Sequence, residues 1–297
     1  MTAVQLAGCG TALVTPFAAD GSIDEPALRA FVEWQIAEGI HFLVPCGSTG
    51  EAVTMTPAEH TRVVAIVVEQ VAGRVAVVAG AGSNDTRKAI ALSKEMQAAG
   101  ATHLLHVSPM YNKPPQRGII EHFKAIAGAT DLPIVAYNVP GRTGSNIEAA
   151  TTLALAEIPN VVAIKEASGN LSQVHEILRH RPAGFTVLSG DDNLTLAMMA
   201  AGAEGVISVT SNATPRKMAQ LCERAAAGDA AGARALHMAL TPWMEAAFCE
   251  SNPLPAKAAV SMLGHIKNVL RLPLVPLARE KEPLVRAALV AAGALPA

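Results

Sequence analysis

One lysine in the sequence stands where an amine nucleophile is expected. Lys165 ends the apolar run Val161–Ile164, and burial beside such a run disfavours the charged amine and lowers its pKa. A neutral lysine amine can condense with a carbonyl compound to form a Schiff base. The alternatives are that Lys165 reaches solvent at the rim of the fold, or that it pairs with the neighbouring Glu166.

The chain contains only two tyrosines, and each directly precedes an asparagine at the end of an apolar run. They are Tyr111 and Tyr137. A phenol in such a place can transfer a proton or bind a carboxylate. The alternative for each is an amphipathic side chain that fills space at the mouth of the fold.

Two further segments could bind anions. Ser48 and Thr49 lie in Gly47–Glu51, where hydroxyls and flexible backbone N–H groups could hold a carboxylate; the alternative is a glycine-rich turn with a helix cap. Arg142 follows Tyr137 by five positions, and its guanidinium could bind a second carboxylate through two hydrogen bonds. A surface salt bridge is the alternative for Arg142.

The sequence does not predict a metal site. Asp191 and Asp192 lack a histidine or third carboxylate to complete one, so they are predicted to cap a helix N-terminus. His103 and His106 fall on opposite faces of a predicted strand. The four cysteines form no C-x-x-C pair, which indicates reduced and mostly buried thiols.

Eight apolar runs, each followed by a turn cluster and a helical pattern, predict the elements that position these residues. This alternation is typical of parallel β/α units, and eight of them predict a (β/α)₈ TIM barrel. The runs are Thr11–Phe17, Phe42–Cys46, Val75–Ala79, His103–Ser108, Pro133–Asn138, Val161–Lys165, Phe185–Ser189 and Gly205–Val209. In such a barrel the catalytic side chains lie at the C-terminal ends of the strands.

After the eighth unit only helical patterns follow. They predict helices at Asp229–Phe248, Pro253–Met262 and Glu282–Ala292, and hence a catalytic barrel over residues 1–228 with a C-terminal helical appendix over 229–297. A doubly wound sheet is the competing architecture. Its nucleotide-binding G-x-G-x-x-G and Walker motifs are missing from the sequence.

Composition narrows the class of protein. A net charge of −2 without a Lys/Arg run argues against binding to nucleic acid or to an anionic membrane. The apolar stretch 63–82 is interrupted by Glu69, Gln70 and Arg74, so it should not span a bilayer. With no pattern of a signal peptide at the N-terminus, a cytoplasmic protein with small-molecule partners is expected.

Several motifs in one order resemble the dihydrodipicolinate synthase and N-acetylneuraminate lyase superfamily of class I pyruvate aldolases. The resemblance extends over most of the chain. The motifs are Gly10–Phe17, Gly47–Glu51, Tyr137–Gly144, Lys165–Asn170, Leu188–Asp192, Gly205–Asn212 and Glu250–Lys257. It implies a Schiff base between Lys165 and pyruvate, with no metal or organic cofactor.

The resemblance also implies roles for the other residues. Tyr137 would relay protons at the imine carbon, and Ser48 and Tyr111 would continue the relay, with Tyr111 supplied by a neighbouring subunit of a homodimer or homotetramer. Ser48 and Thr49 would hold the pyruvate carboxylate, while Gly190 and the backbone carbonyl of Ile207 would lie near pyruvate and the lysine.

Arg142 favours the synthase branch, in which it would bind the carboxylate of aspartate semialdehyde. Ser48 departs from this branch, because the synthases more often carry threonine there, but the hydroxyl is kept. Two alternatives remain: a sister aldolase or dehydratase acting on a 2-keto-3-deoxy sugar acid or N-acetylneuraminate, and a non-catalytic barrel that binds 2-keto acids.

Many synthases of this family are inhibited by lysine at a subunit interface. The resemblance maps that pocket onto Pro57, His60, Asn84, Lys88 and Met110. Lysine-sensitive members carry a glutamate where this chain has Lys88, so the charge facing the ligand's ammonium is reversed. Met110 and Pro57 also lack the polar groups found there, and weak or absent inhibition by lysine is expected.

Overall fold

A closed barrel of eight parallel strands forms the centre of the protein. The computed structural model describes residues 6–296. Each strand pairs with the next in chain order, and the first pairs with the last, which confirms the predicted barrel and rules out the doubly wound sheet. The strands are β1 Gly8–Ala12, β2 Phe42–Val44, β3 Ala76–Gly80, β4 His103–Val107, β5 Ile134–Asn138, β6 Val161–Glu166, β7 Thr186–Ser189 and β8 Gly205–Ser208.

The first strand differs most from its prediction. It begins at Gly8 and ends at Ala12, whereas the sequence pattern predicted Thr11–Phe17. Two glycines hid its beginning, since glycine disfavours strand interiors. Gly10 is needed here, because a Cβ at this position would lie 2.0 Å from the Phe42 ring, which fills the barrel interior. Phe17 instead forms an isolated antiparallel bridge with Ile23.

Helices follow the strands and surround the barrel. They are α1 Glu25–Ala37, α2 Pro57–Val71, α3 Thr86–Ala98, α4 Gln116–Ala127, α5 Pro140–Thr143, α6 Ala149–Ala156, α7 Leu171–His180, α8 Thr195–Ala200, α9 Pro215–Ala226, α10 Ala230–Ala246, α11 Leu254–Met262 and α12 Glu282–Ala291. Single 3₁₀ turns lie at Ala52–Thr54, Asp192–Leu194, Thr210–Asn212 and Arg279–Lys281.

Local sequence explains where these helices begin. At α2, Thr56 accepts from the backbone N–H of Glu59, while the Glu59 carboxylate accepts from the backbone N–H of Thr56. This capping box, with proline at the first helical position, satisfies N–H groups that the helix leaves unpaired.

No helix within residues 6–296 is long and apolar enough to cross a bilayer.

Side-chain alternation divides the apolar residues into two cores. One cluster fills the barrel, and Phe42, Val135, Tyr137 and Ile207 are among its members. The other lies between the strands and the helices. Since neighbouring residues of a strand point to opposite faces, Lys165 points into the barrel and Glu166 points away from it. Cys9, Cys46 and Cys222 are buried, and all four cysteines are free thiols, as predicted.

The C-terminal helices pack against the barrel near its site-bearing end. In α10, the Trp243 indole N–H donates to the carbonyl of Thr210 just after β8, at 3.0 Å. In α11, the Lys257 amine lies 2.5 Å from a carboxylate oxygen of Glu51 in the loop after β2, and both side chains are fully buried. The helices lie within two residues of their predicted bounds, and the division of the chain at residue 228 stays a prediction.

Candidate active site

A narrow cavity of about 60 Å³ opens at the C-terminal ends of the barrel strands. Its walls combine the apolar ends of several strands with polar side chains from the loops. It is lined by Ala12, Val44, Gly47, Ser48, Thr49, Leu105, Tyr137, Val139, Arg142, Lys165, Ala167, Gly190, Asp191, Val209, Phe248 and Asn252. Six of the eight residues that the sequence singled out for chemistry therefore meet around one cavity.

Lys165 lies at the inner end of this cavity. Its side chain is only 4% exposed, so it does not reach solvent at the rim. Lys165 and Tyr137 are partners in the register of β6 and β5, and the Lys165 Nζ lies 4.4 Å from the centre of the Tyr137 ring. The lysine amine and the phenol thus approach any bound molecule from the same side.

Glu166 is occupied on the outer face of the same strand. Its carboxylate accepts from Asn138 Nδ2 at 3.1 and 3.0 Å, from Gln173 Nε2 at 3.1 Å, and from the backbone N–H of Ser168 at 2.7 Å. These donors hold a buried carboxylate without a lysine. The alternative of a Lys165–Glu166 pair is therefore wrong.

The surroundings of Lys165 lower the pKa of its amine to about 8. Burial is the largest cause, because it disfavours the charged amine. The carboxylates of Asp192 and Asp191 oppose this effect, and the Arg142 guanidinium adds to it. Burial also raises the pKa of the Tyr137 phenol to about 12, so Tyr137 is neutral near pH 7 and can donate a proton.

The loop Gly47–Glu51 after β2 is a tight turn rather than a helix cap. Its backbone N–H groups at Gly50 and Glu51 donate to the carbonyls of Gly47 and Ser48. The next helical turn begins at Ala52, and α2 is capped by Thr56, so the cap predicted as an alternative for Ser48 or Thr49 is wrong. Ser48 is exposed at the mouth of the cavity, whereas Thr49 is buried.

Arg142 is another exposed side chain that lines the cavity. It belongs to the single helical turn α5, where the sequence had indicated a loop. Its guanidinium donates to the backbone carbonyl of Asn252 at 3.4 Å, and the side chain is otherwise exposed. A guanidinium in this position can bind an anion that enters the cavity.

Gly190 makes room for the lysine. A Cβ at this position would lie 3.0 Å from Lys165 Cε and 2.6 Å from the Cβ of Ala167. Ile207 is fully buried in the barrel interior and is not among the residues that line the cavity. Tyr111 also lies away from the cavity in this single chain, with its side chain 89% exposed and a backbone φ of 71°.

The two aspartates differ from their prediction. Asp192 is buried, and its carboxylate accepts from the backbone N–H groups of Val209 and Thr210 at 3.0 and 3.1 Å. It therefore caps the turn after β8 instead of its own helix. Asp191 caps no helix with its side chain. Its half-buried carboxylate lines the cavity, and burial raises its pKa.

Two residues of the C-terminal region line the cavity without having been singled out. They are Phe248 and Asn252, and the amide Nδ2 of Asn252 donates to the Thr49 hydroxyl at 2.9 Å. Asn252 lies within the family motif Glu250–Lys257, and that motif was the sequence signal that could have identified it.

Within residues 6–296, no three His, Cys, Asp or Glu side chains come together as metal ligands would.

The family model of the dihydrodipicolinate synthetase family matches residues 5–292. This chain belongs to that family. A relative from Koribacter versatilis, named 4-hydroxy-tetrahydrodipicolinate synthase, is 51% identical over 293 residues, which cover 98% of each chain. The resemblance inferred from the motifs is confirmed.

Solved structures of the family agree closely with this fold. A chloride-inhibited dihydrodipicolinate synthase from Acinetobacter baumannii, complexed with pyruvate, is 42% identical with a TM-score of 0.96, covering 97% of this chain and 99% of that one. A family member from Cyanidioschyzon merolae with lysine bound is 41% identical with a TM-score of 0.95, at the same coverage. Both structures are far above the identity at which only the fold is shared.

The pKa of Lys165 predicts the pH dependence of its nucleophilic reactions. The rate of imine formation with pyruvate, the compound that the family resemblance implies, should rise with pH through a midpoint near 8, because only the neutral amine attacks a carbonyl. Replacing Asp191 by Asn should lower this midpoint, since the Asp191 carboxylate favours the charged amine. Borohydride trapping at a series of pH values measures the rate.

The control for this experiment is Glu157→Gln, which removes an exposed carboxylate at the opposite end of the barrel. Its midpoint should equal that of the wild type. A midpoint at the ordinary pKa of lysine, about 10.4, would contradict the assignment of a desolvated amine.

Proposed function

We propose that this chain is a 4-hydroxy-tetrahydrodipicolinate synthase, a lyase that condenses pyruvate with L-aspartate 4-semialdehyde through a Schiff base on Lys165. One observation carries the proposal: a buried amine with a pKa near 8 faces a neutral phenol in a cavity that also holds hydroxyls and a guanidinium. The names of the full-length relatives support it. The reaction belongs to lysine and diaminopimelate biosynthesis.

The first half of the reaction activates pyruvate. The neutral Lys165 amine attacks the C2 carbonyl, Tyr137 supplies the proton that the departing oxygen needs, and water leaves as the imine forms. The hydroxyls and backbone N–H groups of Ser48 and Thr49 hold the pyruvate carboxylate. In this proposal Gly190 and the backbone carbonyl of Ile207, just below the cavity lining, would lie near the bound pyruvate and lysine.

The second half forms a carbon–carbon bond. The protonated imine acidifies the methyl group, which loses a proton to give an enamine, and this carbon attacks the aldehyde of the semialdehyde. The aldehyde oxygen takes up a proton and becomes the 4-hydroxyl. The amino group of the semialdehyde then displaces Lys165 from the imine carbon, closes the ring and frees the enzyme. The protonated imine accepts the electron pair released when the methyl group loses its proton, so no metal or organic cofactor is required.

A neighbouring copy of the chain completes the proton relay in this proposal. Tyr111 would reach the mouth of that copy's cavity and connect Ser48 with solvent. Its side chain is 89% exposed in the single chain, so the phenol is free to contact another copy. The enzyme would be a homodimer or a homotetramer formed as a dimer of dimers, and it would work in the cytoplasm.

Arg142 supports the choice of acceptor. A guanidinium at the mouth suits an aldehyde that carries its own carboxylate, which aspartate semialdehyde does. The named relatives support this acceptor over a 2-keto-3-deoxy sugar acid or N-acetylneuraminate. A non-catalytic 2-keto acid binding barrel would have little use for a buried amine poised near neutrality.

Reduction with borohydride in the presence of pyruvate should attach a pyruvate-derived group to Lys165. The reason is that Lys165 is the one lysine among the described residues that lines the cavity, and a pKa of about 8 leaves a reactive fraction of its amine neutral near pH 7. Mass spectrometry of peptides locates the adduct. Lys257 provides an internal control, because its pKa is also about 8 but its amine is paired with Glu51. An adduct on another lysine, or none, would falsify the proposal.

Replacing Arg142 by Ala should reduce kcat/KM for aspartate semialdehyde by roughly 10–150-fold. This range corresponds to the loss of one charge-assisted hydrogen bond, which contributes about 1.5–3 kcal/mol. Imine formation with pyruvate should persist. Arg142→Lys is the matched control, which keeps the charge and loses the two-pronged geometry, and an intermediate value is expected. Steady-state kinetics that leave Arg142→Ala unchanged for the semialdehyde contradict the assignment.

Free lysine should inhibit this enzyme only weakly. Lys88 is exposed at the first turn of α3, where its positive charge opposes an ammonium group. Two like charges about 4 Å apart cost about 4 kcal/mol at an effective dielectric constant near 20, enough to remove binding in the micromolar range. Half-inhibition above about 1 mM is the expected result of a lysine titration.

A charge-reversal pair sharpens this test. Lys88→Glu should strengthen inhibition by lysine, whereas Lys94→Glu, a reversal farther along α3, should leave it unchanged. Half-inhibition of the wild type well below about 1 mM shows that other groups have rebuilt the pocket.

A further inference from the structure

The side chain of Asn252 connects the C-terminal region with the loop after β2. It comes from the segment between α10 and α11, 203 positions along the chain from Thr49, and its Nδ2 donates to the Thr49 Oγ1 at 2.9 Å. Both side chains are buried and both line the cavity beside Lys165. Asn252 is therefore a neighbour of the site that touches a hydroxyl with a role in the proposed reaction.

This hydrogen bond fixes which way the Thr49 hydroxyl can act. A threonine hydroxyl has one proton to donate and two lone pairs that accept. When the Asn252 amide donates to one lone pair, the proton of Thr49 remains available for another acceptor. In a cavity that receives a carboxylate, the hydroxyl is then kept as a donor to that anion.

The placement of Asn252 is held from both sides through its main chain. Its backbone carbonyl accepts from the Arg142 guanidinium at 3.4 Å. Five residues later, Lys257 forms the buried ion pair with Glu51, at the far end of the turn that carries Thr49. The amide and the hydroxyl are therefore attached to the same two anchored segments, and their separation has little freedom to change.

The second polar atom of the amide is left without a partner. Asn252 Oδ1 is buried and accepts no hydrogen bond from residues 6–296. Buried polar atoms without partners are rare in folded proteins, because each one lowers the stability of the folded state. The bond to Thr49 is the one side-chain hydrogen bond that the Asn252 amide makes among the described residues.

We propose that Asn252 is a positioning residue for the pyruvate carboxylate, acting through Thr49. The inference rests on the proposed function, because it assigns Thr49 to that carboxylate. Asn252 does not itself touch pyruvate. It holds the Thr49 hydroxyl in the donor state, which lowers the concentration of pyruvate that the enzyme needs. Binding of the semialdehyde depends on Arg142 instead.

The experiment compares Asn252→Leu, Thr49→Val and the double variant. Asn252→Leu keeps the size of the side chain and removes its donor, and it leaves the backbone carbonyl that contacts Arg142. The KM for pyruvate should rise about 3- to 10-fold, the range for one neutral hydrogen bond, while kcat and the KM for the semialdehyde stay within about twofold. In the Thr49→Val background the same change should add nothing beyond about twofold.

A matched structural control is Asn160→Leu. Asn160 Nδ2 donates to the carbonyls of Ala127 and Thr130 at the opposite end of the barrel. This variant should lower the melting temperature without raising the KM for pyruvate. It separates a general loosening of the barrel from an effect on the carboxylate site.

Three results overturn the inference. One is a pyruvate KM within about twofold of wild type in Asn252→Leu, and another is an equal rise in the KM of both substrates, which indicates a structural role. The third is a full additional loss in the double variant, which indicates action independent of Thr49. The proposed function fails separately, if the wild type forms no imine with pyruvate, and the inference then falls with it.

Discussion

The buried ion pair between Lys257 and Glu51 is the interaction on which the geometry of the site depends. Both side chains are fully buried. The other carboxylate oxygen of Glu51 accepts from the backbone N–H of Arg271, and the Lys257 amine also donates to the carbonyl of Val269. Removing one partner of such a pair leaves a buried charge, at a cost of about 3–5 kcal/mol. The pair thus fixes the turn that carries Thr49 to the C-terminal helices.

The register of β5 and β6 supplies a second constraint on the site. Tyr137 is the partner of Lys165, and one position on, Asn138 is the partner of Glu166. The first pair points into the barrel and meets the cavity, while the second points outward and is joined by hydrogen bonds. A slip of β6 by one residue would turn Lys165 to the outer face and Glu166 into the barrel. The outer pair therefore secures the alignment that the inner pair needs for chemistry.

The sequence predicted those parts of the fold and site that depend on local order. Eight apolar runs gave the barrel, and Lys165 was recognised because it ends one of them. The beginning of β1 was missed, because Gly8 and Gly10 serve close packing rather than strand propensity. The contact between Asn252 and Thr49 was also missed, since no periodic pattern relates residues so far apart in the chain.

The balance between burial and nearby charges explains why the pKa of the Lys165 amine is about 8. Burial alone would drive its pKa lower, and the Arg142 guanidinium acts in the same direction, while the carboxylates of Asp191 and Asp192 oppose them. The outcome is a pKa of about 8, so that both protonation states are present near the working pH. The neutral amine serves as the nucleophile, and protonation of the nitrogen after imine formation provides the electron sink. Since Asp192 is itself fixed by the backbone N–H groups after β8, this balance is set by the same barrel ends that form the cavity.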